Sequence, residues 1–218
     1  MATILMRLSE ERATRHYDRW ISLLTLGQDR MLRDYIVNKI LPRRGSVLDL
    51  GCGTGKLLIE AGRRGLRGVG IDTNAKMLEI AKENSKKHNL SRRLDFRLGN
   101  VTALELDNDS FDLVVSSLVV SELQPEEVGL LFSEAARVGV SGGWVVIGTE
   151  GLPKGRTIGR FFSLIRRLSY MVVSRLSRIR AHPVHEIAPA MRSAGLAAKY
   201  RVQFLGGLLE LYVAEVIE

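Results

Sequence analysis

The sequence predicts an α/β fold: an open, mostly parallel sheet of seven strands with helices on both faces, finished by an antiparallel hairpin. Three observations carry this. From Pro42 onward, short apolar runs alternate with amphipathic stretches. One of those runs passes straight into a loop with glycine at positions 51, 53 and 55, and then into a helix. The chain closes on two apolar segments separated by Gly206–Gly207, a hairpin signal.

The elements follow in order. The first 40 residues predict two helices, over 9–24 and 28–40, with Gly27 between them; Leu32, Ile36 and Ile40 give the second a buried stripe. A strand is expected at 46–50 and a helix at 54–64. A second strand (68–71) ends before Asp72, and a helix over 74–88 follows. Further strands are expected at 94–98, 113–116 and 144–148, with a helix near 126–138 and a turn at Gly142–Gly143 leading into the fifth strand. Then come a basic helical stretch at 157–180, a short helix at 184–193, and strands at 198–205 and 208–216.

With 218 residues, 45% hydrophobic and 26% charged, the chain has the size and composition of one ordered domain. It divides into a helical cap (1–42), a core (43–150), a basic amphipathic segment (151–185) and a terminal helix and hairpin (186–218). The single cysteine, Cys52, excludes a disulfide framework, a four-cysteine metal site and paired-thiol redox chemistry. No pair of His or carboxylate residues has metal-ligand spacing, so no metal is expected. No apolar run reaches the roughly 18 residues of a membrane span, and Met1–Leu8 is too short for a secretory h-region. A cytoplasmic protein is expected, able to work at the inner face of the membrane if its basic segment binds there.

The charge is unevenly placed. The net charge is +8, from 32 basic and 24 acidic residues. Eight of the basic ones (Lys154, Arg156, Arg160, Arg166, Arg167, Arg175, Arg178, Arg180) fall in 151–185, which has no Asp or Glu. Removing them leaves 24 cations against 24 acids, so the whole excess belongs to that segment.

Val47-Leu48-Asp49-Leu50-Gly51-Cys52-Gly53-Thr54-Gly55 is the most informative stretch. Glycine is required where the backbone takes positive φ or lets a ligand approach within contact distance. Asp72, 21 residues after Gly51, ends the second strand at a spacing suited to a ribose diol. By itself it would also serve as a helix cap. A dinucleotide loop wants glycine at the sixth position, where Lys56 stands, and the Gly-Lys-Ser/Thr ending of a P-loop is missing. Asp49 opposes a pyrophosphate and suits an ammonium. S-adenosylmethionine offers both a ribose and an ammonium.

Asp49-Leu50-Gly51-Cys52-Gly53-Thr54-Gly55 resembles motif I of class I S-adenosylmethionine-dependent methyltransferases. Gly70-Ile71-Asp72 with Met77-Leu78 is similar to the second motif, Gly99-Asn100-Val101 to the adenine-bracketing segment, and Phe111–Ser117 to the fourth strand. The resemblance spans about residues 43–149. It implies a Rossmann-like class I methyltransferase fold, with S-adenosylmethionine held by Asp49, Gly51, Gly53, Gly55, Asp72, Thr73, Asn100, Val101 and Ser117, and S-adenosylhomocysteine as product. Within the superfamily, the ubiquinone/menaquinone C-methyltransferase group and neighbouring phospholipid N-methyltransferases are the most similar. Tyr17-Asp18 resembles their entry segment and Phe204-Leu205-Gly206-Gly207-Leu208 their terminal hairpin, whereas 118–123 departs from them. The acceptor implied is a small hydrophobic or lipid-like molecule, quinone-type or a phospholipid head group.

Methyl transfer asks the protein mainly for alignment, and for a base only if the acceptor holds a proton of high pKa. Glu122, beyond the fourth strand, and Tyr17 are the catalytic candidates; Glu122 reads equally well as a solvated loop acid. His182 and His185 flank Pro183 and read as surface residues, and His16 and His88 as solvated helix residues. The Asn/Asp-Pro-Pro-Tyr/Phe motif of amino-methylating nucleic-acid enzymes is missing at 116–119.

In the basic stretch, Ile158, Phe161, Phe162, Ile165, Leu168, Val172, Leu176 and Ile179 recur at steps of three and four, with arginines between. Three readings stand. It is a lid packed on the domain, an interfacial helix on anionic membrane, or a nucleic-acid grip that would make the protein an RNA methyltransferase. The last is weakest, because the aromatics share the apolar face instead of interleaving with the arginines.

Overall fold

Aliphatic side chains that alternate along the strands split the interior into two layers, one on each side of a seven-stranded sheet. The computed structural model describes residues 28–151 and 187–217. The expected helix at 9–24, the basic stretch at 157–180, and the candidates Tyr17, His16, His182 and His185 lie outside the described residues.

Helix α1 (Gln28–Tyr35) passes into a π-helical turn, Ile36–Ile40, and Pro42 prevents its continuation. Strand β1 (Ser46–Leu50), α2 (Lys56–Arg63), β2 (Arg67–Asp72), α3 (Ala75–Lys87), β3 (Leu94–Leu98), β4 (Phe111–Ser117), α4 (Pro125–Val138) and β5 (Gly139–Glu150) follow. The chain ends in α5 (Ile187–Ser193), β6 (Leu196–Phe204) and β7 (Leu209–Val216). The strand order is β3-β2-β1-β4-β5-β7-β6. The first five strands pair in parallel, whereas β7 inserts antiparallel between β5 and β6. Order reverses beside β1, so the crevice at its carboxyl end is a topological switch point, where open α/β sheets bind ligands.

Val47, Val115 and Val146 join α1, α2 and α3 residues such as Leu32, Leu58 and Ala81 on one face. Leu48, Val114 and Ile147 join Phe132 and Ala135 of α4 and Met191 of α5 on the other. Asn74 caps α3, its Oδ1 accepting from the N–H groups of Lys76 (3.1 Å) and Met77 (3.3 Å). Pro125 opens α4 behind Gln124, whose N–H donates to Glu127 at 2.8 Å.

One expectation changes. Gly142–Gly143 is no turn before the strand: β5 already starts at Gly139, and the glycines lie in a bulge. Phe111 pairs with Gly139 but Leu113 with Trp144, so β5 gains three residues over β4 there, and Gly142 takes φ +75°. The other glycine pair does turn the hairpin, as a 3-10 turn with Gly206 at φ +66° and Gly207 at +95°.

Candidate active site

The loop from β1 to α2 is bent by three glycines at positive φ: Gly51 (+74°), Gly53 (+53°) and Gly55 (+76°). Two of them pack against a neighbour and the third does not. A Cβ on Gly51 would stand 2.2 Å from Cγ2 of Val119, and one on Gly55 would stand 2.8 Å from the Phe96 ring. A Cβ on Gly53 would meet nothing within 4 Å. Gly51 and Gly55 therefore allow close packing, and Gly53 presents bare backbone to open space. The loop is tied across the switch point by the N–H groups of Gly51 (2.8 Å) and Cys52 (3.0 Å), both donating to the Ile71 carbonyl.

Asp72 completes the turn. Its Oδ2 accepts from the Gly53 N–H at 2.8 Å and its Oδ1 from the Asn74 N–H at 2.9 Å. Burial raises its carboxyl above the ordinary range and outweighs these hydrogen bonds; the charge of Glu122 acts in the same direction. Asp49, 4% exposed at the end of β1, is pushed up to about 7, first by burial and then by the Asp72 charge. Burial, with Asp49 and Asp72 nearby, also pushes the Cys52 thiol far up, so it is no nucleophile.

These groups open on a cleft of about 580 Å³, bordered also by Thr73, Asn100, Val101, Ser117 and Glu122. Asn100 is fixed by its own Oδ1, which accepts from the Thr102 N–H at 3.0 Å. Beyond β4, Leu118 takes φ +64° while its N–H donates to the Gly148 carbonyl at 2.8 Å. The 3-10 turn Val120–Glu122 then brings Glu122 to the rim. Of the sequence-derived residues within the described range, the cleft gathers all but Gly55, which faces α3 and Phe96.

Sequence reasoning missed the wall contributed by α1 and α4: Asp29, Arg33, Gln124 and Glu127. Asp29 and Arg33 form an i,i+4 pair at 3.5 Å, with side chains 23% and 20% exposed. Such a pair reads in a sequence as an ordinary helix surface, and only tertiary packing turns it toward a cleft. Among the described residues, no group of three or more His, Cys, Asp or Glu could hold a metal.

An amino-acid nucleoside fits this chemistry: a buried acid for an ammonium, an acid at the second strand for a diol, and bare glycine backbone between them. Comparison with known proteins agrees. The sequence profile of a methyltransferase domain matches residues 47–143. The chain is 26% identical to the ubiquinone/menaquinone biosynthesis C-methyltransferase of Allorhizobium ampelinum, over 92% of this chain and 84% of that one. It is 32% identical to the same-named enzyme of a Geobacter species, over 68% of this chain and 65% of that one. In fold it is similar to geranyl diphosphate C-methyltransferase of Streptomyces coelicolor, with a TM-score of 0.66 at 17% identity, covering 87% of this chain and 75% of that one.

Proposed function

We propose a small hydrophobic or lipid-like acceptor, methylated at carbon, for this chain, which is a class I S-adenosylmethionine-dependent methyltransferase. The observation that carries the acceptor class is the match, over most of both chains, to an enzyme named for C-methylation in quinone biosynthesis. The charge of the cleft supports it. Five acids border it (Asp29, Asp49, Asp72, Glu122, Glu127) against two cations, Arg33 and Lys56, in a chain whose net charge is +8. A cleft so lined attracts a sulfonium cofactor and repels a polyanion.

The cofactor supplies a methyl group on a sulfonium, a leaving group that needs no protonation. The protein's task is then to orient and to desolvate. Asp49 receives the ammonium, Asp72 the ribose hydroxyls, and Gly51, Gly53, Thr73, Asn100, Val101 and Ser117 frame the rest. Gly55 contributes by fixing the loop. Glu122 is the base: by accepting a phenolic proton it raises electron density on the ring carbon that attacks the methyl, and the displaced ring proton passes to solvent. Tyr17 is the second candidate for this step. The basic segment 157–180 brings the chain to anionic membrane, where such acceptors dissolve.

Incubation with methyl-labelled cofactor and either a reduced demethylated naphthoquinone, phosphatidylethanolamine or total RNA tests the reading. Label is expected in the quinone. RNA is the competing acceptor, because of the eight cations in 151–185, and label confined to RNA would overturn the acceptor class.

A further inference from the structure

The geometry points to a second charged contact for the cofactor: Arg33 of α1 receives the carboxylate of the methionyl end, opposite the ammonium at Asp49. The inference concerns the cofactor alone and is independent of the acceptor. An α-amino acid carries a cation and an anion on one carbon, so a site that selects it needs an acid and a base within a few ångströms of each other. Asp49 supplies the acid. Among the described residues bordering the cleft, the bases are Arg33 and Lys56.

Arg33 is the better match for three reasons. Its backbone is fixed by the neighbouring Leu32, which is fully buried and packs so close to Gly148 that a Cβ there would stand 2.7 Å from Leu32 Cδ1. The Gly148 carbonyl in turn holds the N–H of Leu118, itself on the cleft wall, so α1 is anchored over the site. Next, the Arg33 side chain is 20% exposed, and its Nη1 reaches Asp29 Oδ2 at 3.5 Å, a long contact using one of five N–H donors. The rest of the planar fork is suited to a bidentate carboxylate, which a lysine ammonium cannot match. Finally, Lys56 opens α2 directly behind the glycine loop, on the Gly55 side of Asp49, whereas α1 faces the β4–β5 end of the cleft.

The test is a ligand–variant cycle by calorimetry, using S-adenosylmethionine and decarboxylated S-adenosylmethionine, which keeps ammonium and sulfonium and lacks only the carboxylate. In Arg33→Met, affinity for the full cofactor is expected to fall about 10- to 100-fold, the loss of a charge-assisted hydrogen-bonded pair. Affinity for the decarboxylated ligand is expected to change less than about twofold, and Arg33→Lys to recover part of the difference. An equal loss for both ligands would mean that Arg33 only supports the fold, and would overturn the assignment. So would discrimination that survives in Arg33→Met and disappears in Lys56→Met. If neither ligand bound the wild-type protein, the cofactor reading itself would fall, a result distinct from either of those.

Discussion

A carboxyl at the end of β1, 4% exposed and near a second acid, makes the ligand-free site costly to ionise. Burial lifts Asp49 from 3.8 to about 7, so between those values the folded protein holds a proton that the unfolded chain has released. The contribution of Asp49 to stability is therefore fully present below about pH 4, declines as pH rises, and is level above about pH 8. The Tm of wild type relative to Asp49→Asn, followed by scanning fluorimetry, should fall across that window, leaving the variant several degrees more stable at pH 8. Binding runs the other way. An ammonium needs the ionised carboxylate, so wild-type affinity for S-adenosylhomocysteine should rise with pH through about 7, whereas Asp49→Asn binds weakly and without that slope. Flat wild-type affinity from pH 6 to 8 would remove Asp49 from the ammonium contact. Asp49 and Asp72 were legible in the sequence because each stands at a fixed offset from the glycine loop. Asp29 and Arg33 were not, since an i,i+4 ion pair on a helix has the same pattern whether it meets solvent or a cleft.

At the scale of elements, the glycine loop separates packing from access. Gly51→Ala combines left-handed backbone with a 2.2 Å approach to Val119, a branched side chain in the segment leading to Glu122. It is expected to cost about 2–4 kcal/mol in urea unfolding. Gly53→Ala carries only the backbone penalty, about 1 kcal/mol, yet its methyl enters the cleft, so cofactor affinity should fall more than stability does. If the two variants lose stability equally, the packing account of Gly51 is wrong. A second device braces the segment after Val101. Arg137 of α4 donates to the carbonyls of Leu104 (3.0 Å) and Leu106 (2.8 Å) and is paired with Glu134, whose Oε2 accepts from the Leu104 N–H. Arg137→Met should destabilise by about 1–2 kcal/mol, with increased hydrogen exchange over 102–108 as the readout. Strand and helix existence was legible from periodicity, and β1 and β3 run over the expected residues. The start of β5 was not: its bulge depends on how Gly139 and Trp144 register against β4, and pairing partners leave no mark on local sequence.

For the molecule as a whole, charge is the organising quantity. The cleft is acidic while the chain is basic, and the excess lies in 151–185. No helix among the described residues is long and apolar enough to cross a membrane. With each cation near an anionic surface contributing about 1 kcal/mol, half of the eight would give reversible, salt-sensitive attachment. Flotation with anionic vesicles should carry wild type upward at low salt, and Arg166→Glu with Arg167→Glu should stay below; equal recovery of both in the unbound fraction would rule out membrane attachment. Topology was legible at this scale, because strand–helix alternation admits few connections and the terminal hairpin fixes the antiparallel edge. The α1 wall of the cleft was not, because its placement rests on Leu32 meeting a glycine 116 positions later. The central claim is that this cleft holds an adenosyl amino acid through the acid at the end of β2. Calorimetric titration of S-adenosylhomocysteine into wild type and Asp72→Asn, which keeps the side chain's shape, tests it most directly. Saturable one-to-one binding to wild type, weakened at least about 10-fold in the variant, is the predicted result; no binding to wild type, or equal affinity in both, would contradict it.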